Sequence, residues 1–373
     1  MEDEKGKRKE FTDIDELINS VNKHYKKTVI ARGRDVKSII IRRIKTGIFA
    51  LDEAIGGGFP FGRIVIVQGD FSTGKTTIAC NLVREIMKKK EKNEVIYIDL
   101  EGTFDKSWAK TLGVNTDKMV FVQPEKSTQG LDIAVETART GKVGLVVIDS
   151  FACISAEAEL VTAVDDEARM GVNAQKCNKF IRQIVSALLK QDMTDISKLN
   201  ECIILILNQY RSTFDKYQPN SSPGGRGKGF ASSITIDLRK GDKIAEKMVG
   251  LTKKDIVGHE IHFKTTKNKT YHPDLVGAFD FYNRDSDVFN MKKGQVDNNK
   301  SIVLSAIDKK IIRDSGAGHF KYDGKKFHGK EKLVAYLESH PEMLKQVEME
   351  VMDAISGNKK EEVKKLLKKG GKK

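Results

Sequence analysis

Residues 69–77 read GDFSTGKTT, between an apolar run, RIVIVQG, and a stretch with helical patterning, TTIACNLVREIMKKK. The spacing G-x-x-x-x-G-K-[ST] works only where a strand delivers the loop and a helix receives it. Glycine lets backbone amides wrap phosphate, and the helix N-terminus adds partial positive charge. Gly69, Asp70, Phe71, Ser72, Thr73, Gly74, Lys75, Thr76 and Thr77 are therefore the expected nucleotide-binding loop. Lys75 is assigned to the β- and γ-phosphates and the Thr76 hydroxyl to Mg²⁺. A tight glycine turn beside a surface lysine is the competing reading, and it leaves the strand and helix unexplained.

The rest of the chain repeats this alternation. EVIYIDLE, VGLVVIDS and CIILILNQ read as further apolar strands, followed by SITIDLRK and HEIHFKTTKNK. Apolar strands alternating with helices predict an α/β fold with a mainly parallel twisted sheet covered on both faces. VGLVVIDS ends in Asp149, a carboxylate at the sheet edge able to hold hydrated Mg²⁺. Glu101, in YIDLEGTFD, opens at the same edge, where it can orient or deprotonate an attacking water; capping the next helix is its alternative role. Asp105 and the sole tryptophan, Trp108, follow, the indole being either a purine platform or an ordinary half-buried aromatic. Asn208 and Gln209 end the CIILILNQ strand, and an amide there can sense the γ-phosphate.

Directly after Gln209 the chain turns basic and glycine-rich. NSSPGGRGKGFASS carries Gly224, Gly225, Gly227 and Gly229 with Arg226 and Lys228, and is expected to order only on a polyanion. A net charge of +14 fits an anionic partner, most simply nucleic acid, with solubility alone as the competing explanation. The four cysteines show neither metal spacing nor a disulfide framework. No apolar run approaches the ~20 residues of a membrane span, and MEDEKGKRKE lacks a signal-peptide core. A cytoplasmic location is expected.

Four regions are expected. Residues 1–45 hold an amphipathic helix with Ile14, Leu17, Ile18 and Val21 on one face, then the strand SIIIRRI; both need something to pack on, such as a neighbouring subunit. Residues 46–290 form the ATPase core. Residues 277–300 read as irregular and polar, and 300–358 as a small α+β domain with a hairpin and two helices divided at Pro341. Residues 359–373 form a lysine-rich tail that extends the last helix.

These parts, in this order, resemble the RecA family of homologous-recombination ATPases, bacterial type. IKTGIFALDEAIGGGFPFGRIVIVQGDFSTGKTT, YIDLEGTFD, LVVIDS, LILNQYR, the later KNK and GAGHFKYDGKKFHGKEKLVAYLESHPE carry the resemblance. It implies ATP and Mg²⁺ as cofactors, with Thr76 and Asp149 at the metal. It makes Glu101 the catalytic carboxylate and Gln209 the γ-phosphate sensor, and it places Asp105 and Trp108 by the adenine. Lys267 and Lys269 match lysines that reach a neighbouring subunit's ATP, and Phe230 matches an aromatic at that interface. The implied DNA-binding loops are about 157–171, ending in Arg169, Met170 and Gly171, and about 210–230, with Arg211, Gly224, Gly225, Arg226 and Lys228. Arg182 matches a further DNA contact. The implied partners are single-stranded and duplex DNA, further copies of the chain in a helical filament, and single-strand-binding or loader proteins.

The implied function is ATP-dependent filament formation, homology search and strand exchange. A RecA-like ring ATPase, or a DNA-binding filament protein without exchange, are the alternatives. The sequence departs from the family at Trp108, where members usually carry tyrosine, and at Gln175, where an arginine is usual. It departs again in its basic tail, where an acidic one is common, and in an apparent insertion near 292–300. These departures point to a phage-encoded or otherwise atypical member.

Overall fold

The computed structural model describes residues 11–35, 41–154, 170–189, 200–212, 220–221, 225–247 and 254–370. For 170–174, 211–212, 220–221, 225–226, 247, 254 and 356–370 it describes the backbone alone. Helix α1 is Ile14–Tyr25, followed by β1 (Arg43–Ile44), α2 (Phe49–Ala54) and β2 (Phe59–Pro60). The core runs through β3 (Ile64–Gly69), α3 (Lys75–Met87), β4 (Val95–Asp99), α4 (Lys106–Thr111), β5 (Val120–Val122), α5 (Ser127–Thr140) and β6 (Leu145–Asp149). It continues through α6 (Met170–Leu188), β7 (Ile203–Gln209), β8 (Arg211–Ser212), β9 (Asn220–Ser221), α7 (Gly225–Ala231), β10 (Ile234–Lys247), β11 (Lys254–Asn268) and β12 (Val276–Tyr282). The last elements are α8 (Asn298–Asp308), β13 (Arg313–Asp314), β14 (His319–Tyr322), β15 (Lys325–His328), α9 (Lys330–Glu338) and α10 (Pro341–Gly370).

An eight-stranded sheet in the order β12-β11-β10-β3-β7-β6-β4-β5 forms the centre. The six strands from β10 to β5 are mutually parallel, while β11 runs antiparallel to both its neighbours. Side-chain alternation explains why these strands are apolar at nearly every position. Val65, Val67, Tyr97, Val147, Leu205 and Leu207 face one core, under α3. Ile64, Ile66, Ile98, Val146, Ile148, Ile204 and Ile206 face the other, under α5 and α6. Each such aliphatic side chain, fully removed from water, contributes about 1.5–3 kcal/mol.

A third core lies in the end domain, where Ile302, Val303, Phe320, Leu333, Leu337, Val347, Val351 and Ile355 pack together with Phe49 of α2. Asn298 pins that domain to the ATPase core: its Oδ1 accepts Phe49 N at 2.9 Å and its Nδ2 donates to Gly47 O at 2.9 Å.

Three expectations need correction. Strand β12 lies within the stretch read as irregular from residue 277, where its polar flanks and Gly277 hide the pattern; backbone pairing with β11 over seven positions builds it. Of SIIIRRI only Arg43–Ile44 is strand, paired antiparallel with Phe59–Pro60, and residues 38–40 lie outside the described residues. Finally, Gly225–Ala231 is helix rather than open loop. It packs close against α6, where a Cβ at Gly227 would displace the Asn178 amide. Packing against another element supplied the order that glycine content argued against.

Candidate functional site: the phosphate edge and its neighbours

Strand register assembles the site. Gly69 at the end of β3 pairs with Gln209 at the end of β7, and Asp99 of β4 pairs with Asp149 of β6. In open α/β sheets, ligands bind outside these carboxyl ends, beside the strand where the chain order reverses. The 69–77 loop leaves β3 there. Gly74 has φ +89°, and a Cβ on it would lie 2.6 Å from Ile261 Cδ1, so the tight loop excludes larger residues. Phe71 stands exposed at the loop tip, while Thr73, Lys75 and Thr77 are buried. Lys75 opens α3 and folds onto its own loop, donating to Gly69 O at 2.9 Å and Asp70 O at 2.6 Å. Burial lowers its pKa, against the opposing pull of Asp149, Glu101 and Asp70.

Asp149 accepts a 2.6 Å hydrogen bond at Oδ2 from the Tyr97 hydroxyl. Desolvation raises its pKa to about 6; Glu101 and Asp99 add to the rise, while the Tyr97 bond and Lys75 oppose it. Glu101 is presented by a turn that Asp99 holds, Oδ1 accepting from Glu101 N and Gly102 N and Oδ2 from Phe104 N. Gln209 Nε2 donates to Glu101 Oε1 at 2.6 Å, and the Ser150 hydroxyl donates to the same oxygen. The structure thus brings Lys75, Glu101, Asp149 and Gln209 to one edge. Tyr97 and Ser150 belong there too, and sequence reasoning did not find them. Ser150 follows Asp149 directly, a usable signal, but the reach of the Tyr97 hydroxyl to Asp149 is a matter of strand pairing alone.

A buried lysine, a hydroxyl at the first turn of a helix and an oxygen-donor carboxylate suit a triphosphate and a hard cation with few protein ligands. Asp105 caps α4, its Oδ1 accepting from Ser107 N and Trp108 N. Trp108 is half-buried, edge-on to Phe281 at 6.1 Å between ring centres, with Lys293 Nζ 5.4 Å from its ring centre.

The basic positions divide. Arg182 and Gln175 are exposed on α6. Lys228 is buried; desolvation lowers its pKa to about 8, opposed by the neighbouring Cys177. Phe230 is 75% exposed. Lys267 donates to Gly229 O and Phe230 O, and Lys269 to Phe230 O at 2.9 Å. Both lysines thus sit on the last carbonyls of α7, where cations are favoured. Burial and Lys269 lower the Lys267 pKa to about 8. Arg169, Gly224 and most of the 157–171 loop lie outside the described residues, and for Met170, Gly171, Arg211, Gly225 and Arg226 only the backbone is described. No helix among the described residues is long and apolar enough to cross a membrane.

Sheet order, register and edge chemistry together define a P-loop nucleoside triphosphatase. Comparison with known proteins narrows the class. The RecA N-terminal domain family matches residues 12–285. Protein RecA of Lactiplantibacillus pentosus is 31% identical over 91% of this chain and 84% of its own length. Protein RecA of Clostridium botulinum (strain Alaska E43 / Type E3) is 30% identical over 94% of each chain. Protein RecA of Staphylococcus carnosus (strain TM300) is 30% identical over 90% of this chain and 88% of its own. The chain belongs to the RecA family. It is a DNA-dependent ATPase of recombination and repair that uses ATP with Mg²⁺ and forms filaments of its own copies on DNA.

Proposed function

We propose that the phosphate edge couples ATP hydrolysis to the DNA loops through Glu101 and Gln209, and that the filament carries out homology search and strand exchange. The observation that carries this reading is the 2.6 Å hydrogen bond from Gln209 to Glu101. Gln209 ends β7, and β8 and α7 of the second DNA loop follow it. An amide that serves either the carboxylate or a γ-phosphate links nucleotide state to loop state. Once the amide turns to phosphate, Glu101 is left to orient and deprotonate the attacking water. Lys75 leaves the carbonyls of its own loop for the β- and γ-phosphates. Thr76 and ionised Asp149 would hold Mg²⁺, which when bound neutralises phosphate charge. Asp105 and Trp108 would receive the adenine.

Lys267 and Lys269 would act on the neighbouring subunit's nucleotide, as arginine fingers do. To reach it they release the carbonyls of Gly229 and Phe230, which ties the end of the second DNA loop to the state of the adjoining site. The open edge of the sheet suits assembly. β5 is its last strand, with Val120 and Phe121 47% and 43% exposed, and the N-terminal segment of another copy would cover it. We divide the chain accordingly into a polymerisation segment (1–45), the ATPase core (46–290), an end domain (300–358) and a tail (359–373). DNA is contacted through Arg169, Met170, Gly171, Arg182, Arg211, Gly224, Gly225, Arg226 and Lys228, the last after it leaves its buried position. The protein works on the DNA of the cytoplasm.

The test is ATP hydrolysis with and without single-stranded DNA, for wild type and Glu101→Gln. Strong stimulation in the wild type, lost in the variant while DNA binding persists, is the expected result. Hydrolysis indifferent to DNA, in a protein that forms closed rings, would sink the reading.

A further inference from the structure

Tyr97 is wholly buried in β4, and its ring is packed among aromatics. Phe104 lies tilted against it at 4.7 Å between ring centres, and Phe121 stacks on it at 6.4 Å. A phenylalanine would pack in the same way. Packing therefore does not account for the hydroxyl, and a buried hydroxyl costs stability unless it is bonded. Its partner is Asp149, whose Oδ2 accepts at 2.6 Å.

Strand register sets this contact. β4 and β6 run parallel, with Tyr97 opposite Val147 and Asp99 opposite Asp149. Alternation places these four side chains on one face of the sheet, the face under α3. The phenol passes Val147 and meets the carboxylate at the strand end. At 2.6 Å to an ionised acceptor the bond is a short, charge-assisted one. Burial, and then the Asp149 charge, raise the Tyr97 pKa well above that of an ordinary phenol. The proton stays on the phenol, which serves Asp149 as a donor.

One carboxylate oxygen is thus committed. Oδ1 carries no hydrogen bond among the described residues and is the oxygen left for a cation. The phenol is also braced by the turn that presents Glu101, because Phe104, tilted on its ring, donates its backbone N–H to Asp99 Oδ2.

We propose that Tyr97 is a positioning residue for the Mg²⁺ carboxylate: its hydroxyl holds Oδ2 of Asp149 and leaves Oδ1 to the hydrated cation, while its ring ties that carboxylate to the Glu101 turn. This role holds only if Asp149 is the Mg²⁺ carboxylate, as proposed for the site. Hydrogen-bond partners that orient a metal ligand are typically worth about 10–100-fold in metal affinity.

The experiment measures affinity for a fluorescent, non-hydrolysable ATP analogue in EDTA and at rising free Mg²⁺. The full chain is compared as wild type, Tyr97→Phe, Asp149→Asn and the double variant. Tyr97→Phe keeps the ring and removes only the donor. It should raise the Mg²⁺ concentration needed for half of the affinity gain about tenfold. Affinity in EDTA should stay within about twofold, since the phosphate loop is untouched. On the Asp149→Asn background the same change should shift the Mg²⁺ requirement by less than about twofold, because the hydroxyl acts through that carboxylate. An unchanged Mg²⁺ requirement in Tyr97→Phe, beside a raised one in Asp149→Asn, overturns the proposal and leaves the role of Asp149 standing. An equal loss in EDTA and in Mg²⁺ also overturns it, since that is the mark of a purely structural tyrosine. If Asp149→Asn itself leaves the Mg²⁺ requirement unchanged, Asp149 is not the Mg²⁺ carboxylate, and the role of Tyr97 falls with it.

Discussion

The phosphate edge and the N-terminal segment are organised in opposite ways. At the edge, Lys75, Glu101, Asp149 and Gln209 are each held by hydrogen bonds within the chain, beside strands whose apolar residues are wholly buried. In α1 no residue is buried, and Ile14 and Tyr25 are 50% and 57% exposed. The helix is nevertheless well made. Asp13 caps it, and Asn22 brackets the following strand-like segment through Val29 and Ile30. One region holds its groups through bonds within the chain, while the other presents a surface that, on the proposed reading, another copy covers. On that reading a monomer preassembles part of its chemistry and draws the rest from polymerisation.

Lys75→Ala should break the edge alone. It removes the phosphate ligand, and ATP hydrolysis should fall at least about 10²-fold, with secondary structure unchanged. Loss of the fold in circular dichroism would show that the lysine is structural. Leu17→Glu with Val21→Glu should break only the other region. Filaments should vanish in electron micrographs, while the melting temperature stays within about 4 °C, because Leu17 and Val21 are only half-buried and belong to none of the three cores. A larger drop would mean that α1 packs on its own chain.

The smallest effect sharpens the meaning of a preassembled core. Asp52 is buried, accepts Thr46 N at 2.7 Å, and has its pKa raised to about 7 by desolvation. A carboxyl whose pKa is higher folded than unfolded keeps a proton that the unfolded chain releases. Stability therefore falls as pH rises from about 4 to about 7, and stays lower above that window. Asp52→Asn keeps the acceptor and removes the charge, so it should stabilise by roughly 1–3 kcal/mol near pH 8 and by almost nothing near pH 4. A gain independent of pH would point to packing instead.

Motif and periodicity were enough for part of this. The loop at 69–77, Asp149 at a strand end, Gln209 before a glycine-rich segment and the amphipathic face of α1 are all local patterns, readable because each lies within a few residues of chain. Other features are not local. The Gln209–Glu101 bond spans 108 positions and depends on how β4, β6 and β7 pair. Tyr97 looks like any strand aromatic until β4 is set beside β6, when its hydroxyl meets Asp149.

What the sequence determined by itself is the chemistry on offer: a phosphate loop, carboxylates and amides at strand ends, basic segments, and an excess of positive charge on an α/β scaffold. Tertiary structure decided which of these groups meet and which are hidden. It ordered Gly225–Ala231 as a helix against α6, buried Lys228 beside Cys177, and set Lys267 and Lys269 on the carbonyls that end that helix. The physical reason is that side-chain identity sets what a residue can bond to, while desolvation and distance, which only packing creates, set what it does bond to.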